Sequence, residues 1–379
     1  MQYRTMTKTN DRISVLGFGC MRFPTLSDKT IDEPLATKMV RHAIDAGVNY
    51  IDTAWPYHQQ MSEPVVGRIL LDGYRDKVML ATKLPSWYIT NRDDMDTYLN
   101  KQLEKLQTDH IDYYLVHALN RKLWKNLTSH QLFDFLDAIK KDGRVRHVGF
   151  SFHDYYPIFE TIVDSYDWDF CQIMYNYIDQ DWQAGRRGLE YATQKGLGVI
   201  IMEPLRGGKI TQNIPEDIQA LWDSATIKRT PAAWAIHWLL NDKRIHLLLS
   251  GMSTMEQVIE NLAICDYGIP NSLTTDELDL VERVRQTYLS RIKIGCTACE
   301  YCLPCPHGVA IPSCLNSYNS AFLFNDVKQA KAEYLMFIPE KSRASQCVAC
   351  GECEDKCPQN LSIMDALAQI KVLFETEEL

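Results

Sequence analysis

Between Val15 and Gly251, short runs rich in β-branched and aromatic residues alternate with stretches whose apolar side chains recur every three or four positions. Runs of the first kind suit strands buried on both faces, and stretches of the second kind suit helices with one buried stripe. Strands are expected near Val15–Met21, Asn49–Ala54, Val78–Lys83, Ile111–His117, Arg146–Phe152, Phe170–Tyr175, Gly198–Glu203 and Ile245–Gly251. Between them Leu35, Met39, Val40, Ala43 and Ile44 fall on one helical face, as do Met95, Leu99, Leu103 and Leu106, and Leu132, Phe133, Leu136 and Ile139. Gly47, Gly143 and Gly196 follow helical stretches, where a left-handed residue ends a helix at little cost to glycine. Eight alternating units of this kind predict a closed (β/α)8 TIM barrel rather than an open doubly wound sheet, whose GxGxxG turn is missing.

Residues 1–12 are expected to form a hairpin or cap ahead of the barrel, and 206–229 an oversized connection before a helix that begins at Pro231. Long loops on the C-terminal side of barrel strands commonly act as lids or binding loops. Thr275–Ser290 reads as a last amphipathic helix, so the barrel is assigned to residues 1–290 and a second domain to 291–379.

A net charge of −9 over 379 residues gives no basic excess that would attract nucleic acid or an anionic membrane. Apolar runs such as GVIIMEPL fall far short of the ~20 residues of a membrane helix, and MQYRTMTKTNDR carries no apolar export signal. A soluble, cytoplasmic protein with neither of those partners is expected. Cysteine changes the picture: nine of twelve lie between Cys296 and Cys357, and the preceding residues hold only Cys20, Cys171 and Cys265.

In such barrels, chemistry sits at the C-terminal ends of the strands. Asp52 ends the second strand, Tyr57 follows five residues later, Lys83 ends the third and His117 ends the fourth. Singly they read as a turn cap, a core phenol, a surface amine and a satisfied imidazole. Together they fit polar reduction of a carbonyl: Lys83 beside Asp52 is expected to pull the Tyr57 phenol below its free value near ~10, and His117 to hold the carbonyl oxygen. Trp55, Trp87 and Trp182 either line the substrate cleft or pack between elements.

The segments GVNYIDTAWPYHQQMSEPVVGRIL, LEKLQTDHIDYYLVHAL, GFSFH, QIMYN, IMEPLRGG and EQVIENL, in that order, resemble the aldo-keto reductase family over residues 1 to about 290. The resemblance implies that Tyr57 is the general acid, Lys83 and Asp52 the pair that tunes it, and His117 the carbonyl-orienting group. It also implies a nicotinamide cofactor, NADP or NAD, across the barrel mouth. Ser151 and Gln172 would hold the carboxamide, Tyr175 would stack on the ring, Leu205, Arg206 and Gly207 would approach the pyrophosphate, and Glu260 and Asn261 the adenine. The chain departs from the family in reading Ser151-Phe152-His153, where Asn often follows the serine. It also has Gly251 and Gln257 where NADPH-preferring members carry a lysine and an arginine.

The tail reads Cys296-x2-Cys299-x2-Cys302-x2-Cys305-Pro306 and Cys347-x2-Cys350-x2-Cys353-x3-Cys357-Pro358. Three thiolates at x2 spacing wrap one cubane, and the fourth, followed by Pro, crosses to the other. Two [4Fe–4S] clusters are expected, one on Cys296, Cys299, Cys302 and Cys357, the other on Cys347, Cys350, Cys353 and Cys305. The short spacing before Cys305 leaves Cys314 as the reserve ligand. Zinc would leave the third cysteine of each triple idle, and a disulfide framework conflicts with the missing export signal. Apolar spacing between the runs is helical, which predicts a small, mostly helical ferredoxin-like iron–sulfur domain. It resembles the ferredoxin-type tails of one branch of aldo-keto reductases.

Nicotinamide passes two electrons as hydride, while each cubane passes one. Three functions remain open. The barrel reduces a small-molecule carbonyl with NAD(P)H, beside structural or sensory clusters; or the clusters relay electrons from an electron-transfer protein, with a flavin as converter; or an idle barrel serves as a redox-responsive regulatory subunit.

Overall fold

Side-chain parity along the strands decides what fills this barrel. In Phe170–Met174, Phe170 packs inward with Tyr50, Tyr113, Ile200 and Leu247, while Cys171 and Ile173 belong to the outer layer between strands and helices. The same two-residue period governs the other strands. The computed structural model describes residues 1–376.

A hairpin of β1 (Tyr3–Thr5) and β2 (Arg12–Ser14) pairs antiparallel, Tyr3 opposite Ser14. Eight parallel strands follow: β3 (Leu16–Gly19), β4 (Tyr50–Asp52), β5 (Met79–Leu84), β6 (Ile111–Leu119), β7 (Val145–Phe152), β8 (Phe170–Met174), β9 (Gly198–Met202) and β10 (Leu247–Ser250). They close in chain order, with β10 paired to both β9 and β3. All eight expected strands are present, most of their ends displaced by one or two residues. The helix expected at Pro231 is Pro231–Leu240, capped by the Thr230 hydroxyl. Gly47, Gly143 and Gly196 all have positive φ, as their place after helices requires.

The hairpin plugs the N-terminal end of the barrel. Met6 and Ile13 join the inner core, and Gly198 makes room for the Met6 methyl, which would lie 2.3 Å from a Cβ there. Tyr113, itself inside the barrel, donates its hydroxyl to Asp11 at 2.7 Å.

The chain divides into two compact units, residues 1–207 with 229–278, and residues 208–228 with 279–379. The division falls within the helix Thr275–Leu289. The second unit takes in part of the long connection, whose helix Glu216–Asp223 buries Ile218 and Trp222. Ion pairs Arg291–Asp217 at 2.5 Å and Lys209–Glu333 at 2.5 Å tie that segment to the tail. Helices Ile311–Leu323, Val327–Phe337 and Ile363–Glu375 dominate this unit, around a core of Leu315, Tyr334, Leu367, Ile370 and Phe374. Among the described residues no helix is long and apolar enough to cross a membrane.

Candidate functional site

Inward parity brings Asp52, Lys83, His117, Ser151, Gln172 and Met202 to the C-terminal ends of six strands, on the inner face. Lys83 is fully buried, and its ammonium lies 2.7 Å from each Asp52 oxygen, 2.8 Å from the Thr53 carbonyl and 3.4 Å from the Tyr57 hydroxyl. The Tyr57 and His117 rings stand 6.2 Å apart, nearly perpendicular. Trp87 lies 5.0 Å from His117, whereas Trp55 packs edge-on against Tyr98 and Trp182 against Tyr155.

Burial sets the electrostatics here. Desolvation raises the Tyr57 pKa above 10.0, the nearby Lys83 charge lowering it less than burial raises it. The expectation of a phenol titrating below its free value is therefore corrected: Tyr57 stays protonated at neutral pH. Burial opposes the charge on Lys83, but Asp52 and Tyr57 outweigh it and raise the lysine pKa. Burial also raises Asp52, with Lys83 pulling it back. Burial, then the Lys83 and His153 charges, push His117 well below 6.5, so its ring is neutral.

Local backbone presents these groups. Tyr57 precedes three consecutive left-handed residues, His58, Gln59 and Gln60, with φ of 49°, 54° and 71°. Such a turn is costly for non-glycine residues and needs outside support. His58 supplies it, accepting the Phe23 N–H at 3.1 Å and stacking on the Phe23 ring. The β6–β7 register shifts between Val116 and Leu119, and Ala118 takes φ 52°. The Ser151 hydroxyl accepts the Ala118 N–H at 2.7 Å, which holds this bulge and aims His117 inward. Neither the left-handed turn nor the bulge has a glycine to announce it in the sequence.

The remaining residues singled out in the sequence are spread around the mouth. Gln172 donates to Met202 Sδ at 3.5 Å, and its Oε1 has no partner, nor has His117 Nδ1. Tyr175 does not face the mouth: its ring packs on Trp238 of Pro231–Leu240 at 5.4 Å, in the layer between strand and helix. The reason is parity. Tyr175 directly follows β8 and lies three positions after Gln172, so continuing the strand's alternation turns it to the opposite face, and Met202 takes the inward place beside Gln172. Leu205 is half-buried against the outer core, and Arg206 pairs with Asp179 at 3.2 Å. Gly207 has φ 66°. Glu260 accepts the Thr230 hydroxyl at 2.6 Å, and Asn261 donates to Ser250 at 3.0 Å. Gln257 is occupied by the cap of Met255–Asp266, accepting the Ser253 N–H at 2.8 Å.

In the second unit the cysteines line two hollows. One, of about 320 Å³, is bordered by Cys296, Cys299, Cys302 and Cys357. The other, of about 360 Å³, is bordered by Cys305, Cys347, Cys350 and Cys353, with Cys302 again on its rim. Cys314 borders neither; it is buried, with its thiol 3.8 Å from the Ser342 carbonyl and 4.0 Å from the Tyr334 hydroxyl. The thiols surround space rather than meet: among the described residues no three His, Cys, Asp or Glu are placed to hold one metal ion.

The aldo/keto reductase family model matches residues 15–285, and a 4Fe-4S dicluster domain matches residues 295–362. L-galactose dehydrogenase of Arabidopsis thaliana is 24% identical over 286 residues, 69% of this chain and 88% of the relative. Aldo-keto reductase YhdN of Bacillus subtilis is 31% identical over 159 residues, 40% of this chain and 47% of the relative. Among solved structures, aldo-keto reductase AKR11C1 of Bacillus halodurans in its holo form superposes with a TM-score of 0.63 at 23% identity, covering 75% of this chain and 96% of the other. An aldo-keto reductase of Klebsiella pneumoniae in complex with NADPH gives 0.61 at 22%, again with 75% and 96% covered. The barrel of this chain therefore belongs to the aldo/keto reductase family of oxidoreductases, and a mostly helical 4Fe-4S dicluster domain follows it.

Proposed function

We propose that the chain reduces a small-molecule aldehyde or ketone with a nicotinamide dinucleotide, Tyr57 being the general acid, and that its tail holds two [4Fe–4S] clusters. The observation that carries the first part is the buried Lys83 ammonium set between the Asp52 carboxylate and the Tyr57 hydroxyl, beside the neutral His117.

The mouth fits a dinucleotide. Gln172 Oε1 and His117 Nδ1 are buried polar atoms without partners. When bound, reduced nicotinamide supplies a hydride to the carbonyl carbon. Tyr57 gives its proton to the carbonyl oxygen, and Lys83 stabilises the phenolate left behind. Asp52 keeps Lys83 charged and in place. His117, neutral, offers one ring N–H to the same oxygen. Gln172, with Met202 beside it, would meet the carboxamide and ring.

The thiol sets fit cubanes of four cysteines each, Cys296, Cys299, Cys302 and Cys357, and Cys305, Cys347, Cys350 and Cys353. The Ala298 and Ala349 N–H groups donate to the Cys296 and Cys347 sulfurs, each at 3.4 Å. A second reading, electron relay to an external protein through a converter such as a flavin, is favoured by the exposure of Cys299 and Cys350. Anaerobic purification followed by extraction of the bound cofactor and assay of NADPH and NADH oxidation with an aldehyde panel tests the proposal. Nicotinamide-dependent reduction without flavin supports it; a released flavin with no nicotinamide turnover overturns it in favour of relay.

A further inference from the structure

Arg22 ends the short helical turn Cys20–Arg22 after β3 and is exposed. Its stem lies on Gly251, where a Cβ would fall 3.2–3.3 Å from Arg22 Cβ, Cγ and Cδ. Its guanidinium reaches Gly207, where a Cβ would fall 2.9 Å from Nη2. One arginine thus spans the loops after the seventh and eighth barrel strands, the place where barrels of this architecture hold phosphate groups.

The Arg22 backbone is fixed on both sides. The Ser253 hydroxyl donates to the Arg22 carbonyl at 2.8 Å, and the next N–H, that of Phe23, donates to His58 at 3.1 Å. Its guanidinium, by contrast, has no ion pair or hydrogen bond among the described residues, whereas Arg206 nearby in sequence to Gly207 is paired with Asp179. A planar, permanently charged fork without a partner, laid over two glycines, matches the bidentate recognition of phosphate oxygens.

We infer that Arg22 grips the pyrophosphate of the dinucleotide. This rests on the nicotinamide reading above. Because pyrophosphate is common to both dinucleotides, Arg22 strengthens binding of each without choosing between them.

The test is equilibrium binding of NADPH and of NADH, followed by quenching of protein fluorescence, to the wild type, Arg22→Gln and Arg22→Lys. Loss of one charge-assisted contact predicts that Arg22→Gln raises both Kd values about tenfold by the same factor, with Arg22→Lys intermediate and iron content unchanged. Unchanged Kd values in Arg22→Gln overturn the inference and leave the nicotinamide reading standing. A loss confined to NADPH overturns it too, because it places Arg22 on the 2′-phosphate. A wild type that binds neither dinucleotide refutes the nicotinamide reading and this inference with it.

Discussion

Ala298 and Ala349 occupy matching places in the two cysteine runs, each with left-handed φ, 52° and 57°, and each donating its N–H at 3.4 Å to the sulfur two residues earlier. The next left-handed pair, Glu300 and Gly351, matches as well. The two runs therefore fold alike although their fourth spacings differ, and each presents its first three thiols in the same way. Cys305 borders the hollow of Cys347, Cys350 and Cys353, while Cys314 is turned into the helical core. Cys305→Ala is expected to lower bound iron from about eight atoms, and Cys314→Ala to leave it unchanged. Iron and sulfide analysis after anaerobic reconstitution decides, and the opposite pattern would make Cys314 the ligand.

Removing Lys83 strands a buried carboxylate. Lys83→Met should destabilise the barrel by about 3–5 kcal/mol, the usual cost of breaking a buried pair on one side. Adding Asp52→Asn should restore part of that loss without restoring turnover. Denaturant midpoints of the two variants check this; equal stability of wild type and Lys83→Met would show that the pair is not buried and charged.

Carbonyl reduction needs Tyr57 protonated and His117 neutral. Burial raises the first above 10.0 and depresses the second well below 6.5, so neither titrates between those values. The kcat/KM for reduction is expected to be level across that range, to fall on its alkaline side as Tyr57 ionises and to fall well on its acid side as His117 takes up a proton. A clear inflection near pH 7 or 8, measured with saturating cofactor, would contradict this assignment.

His246 links barrel stability to acid. Its ring accepts the Val199 N–H at 3.1 Å, and burial lowers its pKa from 6.5 to about 4. The unfolded chain takes up this proton first as pH falls, so the contribution is intact above pH 6.5 and is lost on the way down to about 4. The full effect is of order 3 kcal/mol. Unfolding free energies from pH 7 to 4 should show this slope, reduced in His246→Gln, which keeps an acceptor but does not titrate. An unaltered slope would assign the acid sensitivity to other groups.

The barrel and the grouping of Asp52, Tyr57, Lys83 and His117 were legible because strand runs, glycine stops and strand-end polar residues each carry a local signal. Asp52, Lys83 and His117 share inward parity, and Tyr57 reaches them from the turn that follows β4. Tyr175 could have been placed by counting, since it lies three positions after Gln172. The sign of the Tyr57 shift could not, because burial outweighs the lysine only once the barrel is closed. The Ala118 bulge, the left-handed run after Tyr57 and the lie of Arg22 on Gly207 and Gly251 depend on contacts between distant segments. No single stretch of sequence records them.

The central claim, proton donation by Tyr57 during nicotinamide-dependent carbonyl reduction, is tested most directly by single-turnover oxidation of bound NADPH on mixing with aldehyde, in wild type and Tyr57→Phe. Loss of a general acid predicts a rate about 10²–10⁴-fold lower in the variant, with NADPH affinity and iron content unchanged. A rate equal to that of the wild type would contradict the account.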